Sequence, residues 1–84
     1  MSRFWPPGLP ITVLSDALAT PQILVWEGRR HPVLRIHERW RVDEGWWGIR
    51  AWREYFTLIT NTGLLLTLYH DVPRGQWYLQ RLYD

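Results

Sequence analysis

The chain has 84 residues, of which 46% are hydrophobic, with a formal charge of +2 and no cysteine. That length builds one small core and excludes a multidomain enzyme, while the lack of thiols removes both a disulfide framework and a thiolate metal site. Seven Trp, four Tyr and two Phe supply large rings that bury much area at little side-chain entropy cost, so apolar packing has to carry the fold.

Pro6, Pro7, Gly8 and Pro10 disfavour both helix and strand, so residues 1–10 read as an extended arm ahead of a single small domain over residues 11–84. Beyond Pro10 the punctuation falls at hairpin spacing, and the runs between turns alternate with period two. Strands are expected at Ile11 to Leu14, Gln22 to Glu27, Val33 to Val42, Arg53 to Thr60, Leu64 to His70 and Gln76 to Tyr83. Ser15 to Thr20 offers one helical turn with Ser15 as its cap. About six short strands and almost no helix point to an all-β fold: a strongly bent antiparallel sheet or small open barrel, SH3-like in the first reading and resembling an oligonucleotide-binding barrel in the second.

Turn chemistry sets two registers. Asn61-Thr62-Gly63 suits a three-residue hairpin loop with Gly63 left-handed, so Thr60 faces Leu64. Counting back pairs Phe56 with Leu68 and Leu58 with Leu66 on a core face, and Tyr55 with Tyr69, Thr57 with Thr67 and Arg53 with Asp71 on the other. Val72-Pro73-Arg74-Gly75 suits a type I turn with a glycine bulge. Leu79 then opposes Leu68 and Tyr78 opposes Tyr69, which gives a row of Tyr55, Tyr69 and Tyr78 across three strands. In the third strand, alternation places Leu34, Ile36, Trp40 and Val42 on the apolar face and Arg35, His37, Arg39 and Arg41 on the other. Glu38 breaks that pattern, and a bulge near His37 and Glu38 is expected to repair it.

All ten basic residues are Arg, against eight acidic ones. The guanidinium fork suits phosphate, but coding rich in G and C is the stronger explanation of the bias, and the net charge is a weak electrostatic footprint. The inventory for catalysis is thin. Ser2 and Ser15 lie near the N-terminus, Lys and Cys are absent, and His31, His37 and His70 are dispersed without ligand spacing, so these histidines read as ordinary surface residues. Asp43 and Glu44 next to Gly45 read as a turn rather than a carboxylate pair. No catalytic residue, metal or cofactor is assigned. No uninterrupted run of about 18 apolar residues exists, and Met1 to Pro7 lacks the apolar core of a signal peptide, so no membrane partner and a cytoplasmic location are expected.

Trp40-Arg41-Val42, Trp46-Trp47, Arg53-Glu54-Tyr55-Phe56, Leu68-Tyr69-His70-Asp71 and the ending from Gln76 to Asp84 follow one another in an order that resembles a small uncharacterised bacterial domain. In related form that domain ends the ImuB-type Y-family polymerase homologues of the mutagenesis cassette. The resemblance spans roughly Pro10 to Asp84. It implies an accessory role in DNA damage tolerance through translesion-synthesis partners, and no polymerase activity, since the polymerase part is absent.

Two functional readings remain. The first is a protein-interaction module using Trp46, Trp47, Tyr55, Tyr69 and Tyr78 as aromatic anchors. The alternative is a single-stranded nucleic-acid-binding module in which Arg35, Arg39 and Arg41 form a stripe beside stacking rings. Because adjacent strand residues point to opposite faces, only one of Trp46 and Trp47 enters the same core; the other is an exposed anchor or is covered by a segment such as Phe4-Trp5. Partner identity and oligomeric state are not encoded in any motif.

Overall fold

A computed structural model of the chain describes residues 2–46 and 49–83, with backbone alone for 44–46 and 49–51. Six strands follow in order: β1 (Ser2–Ser15), β2 (Pro21–Trp26), β3 (Arg29–Trp46), β4 (Ile49–Thr60), β5 (Leu65–Asp71) and β6 (Gln76–Tyr83). Each is antiparallel to its neighbour in sequence. β1 also pairs with β6, so the sheet closes into a ring. The fold is the all-β, strongly bent sheet that the hairpin spacing predicts.

The β4, β5 and β6 registers are those set by the turns. Phe56 pairs with Leu68, Leu58 with Leu66, Tyr55 with Tyr69 and Arg53 with Asp71, and Leu68 with Leu79 and Tyr69 with Tyr78. Thr60 N–H donates to the Leu64 carbonyl at 2.9 Å, and Gly63 takes φ +91, as a hairpin of this loop length needs. Phe56, Leu58, Leu66, Leu68 and Leu79 are fully buried, and with Leu24, Trp77 and Leu82 they form the core.

The sequence reading of β3 places Ile36 correctly against the core but fails at Leu34 and Trp40, and the cause is geometric. The ladder to β4 shifts twice, between Val33 and Arg35 and between Ile36 and Glu38. The second is the expected bulge, while the first was unforeseen. Each bulge adds one residue and reverses the alternation. Val33, Ile36, Arg39 and Arg41 therefore lie opposite Thr60, Leu58, Phe56 and Glu54 on the inward side, whereas Arg35, Glu38, Trp40 and Val42 lie opposite Ile59, Thr57, Tyr55 and Arg53 on the outward side. Leu34, expected inside, is 69% exposed.

Two other segments differ. Residues 2–10, read as an arm, are extended but hydrogen-bonded along β6: Ser2 to Phe4 pair with Tyr83 to Arg81, and Leu9 to Ile11 with Leu79 to Trp77. Proline is tolerated there because this half of β1 is an outer strand, with β2 pairing only from Thr12 onward. Between the two pairings four residues of β1, 5–8, stand against Gln80 alone and swing out of the ladder. Ser15 to Thr20 is not helical. Asp16, rather than Ser15, organises it by accepting the Leu18 and Thr20 N–H groups at 2.9 and 3.0 Å.

Candidate interaction surface

The registers of β3 to β6 bring four rings together on the outer face. Trp40 and Tyr55 stack at 5.2 Å between centroids with 6° between planes. Tyr55 and Tyr69 follow at 5.3 Å, and Tyr69 and Tyr78 at 5.0 Å. Cross-strand aromatic pairs stabilise a sheet, so the row is a structural device as well as a surface. Its two halves are treated differently. Tyr69 is 3% exposed because the excursion of β1 crosses it: its hydroxyl donates to the Pro7 carbonyl at 2.8 Å. Gly8, at φ +88, lies so close that a Cβ there would sit 2.8 Å from both Tyr69 Oη and Tyr78 Cβ. Only glycine fits that approach. Trp40 at the other end is 39% exposed.

Arg53 sits over this row, with its guanidinium carbon 4.8 Å from the Tyr69 ring centre. The Tyr55 hydroxyl beside it raises the Arg53 pKa further, against a smaller opposing effect of burial. Burial likewise pushes the Tyr69 phenol above its ordinary range despite the nearby Arg53 charge. Tyr69 is therefore held as a neutral donor, the form its bond to Pro7 requires.

Beside the row, on the same face, lies a groove of about 330 Å³ whose lining includes Ile59, Leu65, Tyr83, Arg35, His37 and Glu38. Arg35, His37 and Glu38 make no ion pair or hydrogen bond among the described residues. The floor is apolar and the β3 rim is ionisable.

The inward side of the β3–β4 hairpin is different in kind. Arg39 and Arg41 donate to the two oxygens of Glu54 at 3.0 and 2.9 Å, and their guanidinium groups lie over Phe56 and Trp52 at 5.1 and 4.1 Å. Burial would raise the Glu54 carboxyl, but the two guanidinium groups outweigh it and hold the pKa below the ordinary value. Charges are tolerated on this side because β2 pairs with β3 only over Arg29 to Pro32, so among the described residues β2 does not continue along the far half of the hairpin. Two of the histidines are not simply exposed. His31 is buried and shares a 2.8 Å hydrogen bond with Thr62 Oγ1, and His70 stacks on Trp77 at 4.3 Å.

Of the residues expected to bind a partner, Tyr55, Tyr69 and Tyr78 are brought together as a row, though Tyr69 is covered by the chain itself. Trp47 and the side chain of Trp46 lie outside the described residues. The expected stripe of Arg35, Arg39 and Arg41 does not form: Arg35 points outward to the groove, while Arg39 and Arg41 are inward and tied to one carboxylate. Simple alternation puts Trp40 on the core face, whereas the structure places it at the open end of the row. Only the count of bulges in β3 would have found it. No family model, curated protein or solved structure matches the chain.

Proposed function

We propose that the chain is a non-catalytic interaction module that binds a protein partner through the outer face of β3 to β6. The resemblance of its sequence to the domain ending ImuB-type polymerase homologues adds translesion-synthesis components as the context. The observation that carries the reading is Trp40, a large ring left 39% exposed at the end of a stacked row that a chain this small would gain by burying. A partly exposed aromatic held rigid by stacking is a common form of binding hot spot. The nucleic-acid reading loses support from the division of its arginines between two faces.

The test is capture from a lysate of the source cells by the full chain, with half the sample nuclease-treated, using the parent and Trp40→Ala. A protein retained after nuclease treatment and weakened by about 2 kcal/mol or more in the variant supports the module. Captured material that vanishes with nuclease, together with single-strand affinity that falls steeply between about 50 and 200 mM salt, refutes it in favour of nucleic-acid binding.

A further inference from the structure

The aromatic row already holds one ligand, and that ligand is part of the same chain. After Phe4 the chain leaves the β6 ladder: the Trp5 ring packs against the core, and Pro7 and Gly8 then lie over the outer face before the chain rejoins β6 at Leu9. It is held by the Tyr69 hydroxyl on the Pro7 carbonyl and by the close seating of Gly8 against Tyr69 and Tyr78. Extended proline segments suit such a surface for a physical reason. Their carbonyls have no internal hydrogen bonds and are free to accept, and fixed φ angles reduce the entropy lost on docking. Aromatic grooves that recognise proline-rich peptides exploit both properties.

The row continues past this covered half to Tyr55 and Trp40, and there the ring of Trp40 is open to solvent. Glu38 lies two residues before Trp40 on the same face, opposite Thr57, and its carboxylate has no ion-pair partner among the described residues. A cation beside the prolines would complete it.

We propose that Trp40 and Tyr55 are a docking site for a proline-containing extended segment of another protein, with Glu38 receiving an Arg or Lys of that segment. This rests on the interaction-module reading and names the chemistry of its partner. The covered half of the row is the template: the same kind of rings, one strand pair away, bind the same kind of backbone within the chain.

The test is an NMR titration of the 15N-labelled full chain with a synthetic peptide of repeated Ala-Pro-Pro units ending in Arg, alongside a control in which every Pro is Ala. The expected result is a shift of the Trp40 indole N–H and of the Glu38 and Tyr55 amides with the proline peptide alone. Trp40→Ala should weaken binding about tenfold or more, Trp40→Phe should retain most of it, and Glu38→Gln should cost affinity only when the terminal Arg is present. Equal binding of the alanine peptide, shifts confined to other strands, or no shift at millimolar peptide would overturn the proposal. A Trp40 shift that tracks protein concentration rather than peptide would overturn it too, since a second copy would then be the occupant. If the proline peptide fails while Trp40-dependent capture of a protein persists, only the proline chemistry falls; if both fail, the module reading falls with it.

Discussion

The imidazole of His70 stacks on the Trp77 indole at 4.3 Å, yet its buried Nδ1 has no hydrogen-bond partner among the described residues. Burial pulls the His70 pKa below its ordinary value of 6.5, against the opposing influence of Glu54 and Asp71. The unfolded chain therefore binds a proton at a higher pH than the folded one does. Stability is fully present above about pH 6.5 and declines as pH falls from there toward the folded-state pKa. Phe in place of His70 keeps a ring against Trp77 and removes both the orphaned nitrogen and the titration. The expected outcome is a denaturation midpoint at pH 7 equal to or above the parent's, because an unsatisfied buried group costs about 1–3 kcal/mol, with a flatter profile between about pH 5 and 7. Denaturant melts across that range check it, and a variant that loses more stability in acid than the parent would sink the assignment. In the sequence this histidine looks like a surface residue. Its even position in β5, in phase with Leu66 and Leu68, sets its face, but nothing in the alternation says that Trp77 covers it.

Hairpins were legible where the turn residues dictate backbone conformation, and illegible where the ladder itself changes phase. Gly63 and the Pro73 to Gly75 pair anchor β4 to β6, and from those anchors the row of tyrosines follows by counting. β3 carries no such marker, since a bulge at Leu34 or His37 needs no special residue. One wrong phase moved Trp40 inside and joined three arginines that the fold separates. The β2–β3 turn was missed for a related reason. Glu27 and Gly28 both take positive φ, at 52° and 74°, between the paired Trp26 and Arg29. Tight hairpins favour this conformation, but Glu is a poor first residue for it and gave no signal. Glu27→Asn creates the preferred Asn-Gly sequence at an exposed site and should stabilise by about 0.5–1 kcal/mol. A chemical-denaturation midpoint that falls instead would show that the Glu27 side chain contributes more than its backbone strain costs.

At the scale of the whole molecule, ring closure separates one contact from all the others. Five of the six strand pairings join neighbours in sequence, whereas β1 to β6 spans nearly the entire chain, with Arg3 opposite Leu82. Local hairpins close at small entropic cost and the long closure at a larger one, so β3 to β6 should assemble before β1 docks. Leu9 pairs with Leu79 at the closure and packs against the core, while Leu68 lies fully buried in the middle of the meander. Leu68→Ala leaves a cavity and should cost about 2–5 kcal/mol, much of it as slower folding, because its contacts with Phe56 and Leu79 would already be present in the transition state. Leu9→Ala should be milder and should act almost wholly by faster unfolding, with the folding arm of the chevron unchanged. Stopped-flow chevrons of the two variants decide the order. If Leu9→Ala slows folding in proportion to its loss of stability, the ring closes early and the N-terminal strand belongs to the folding nucleus.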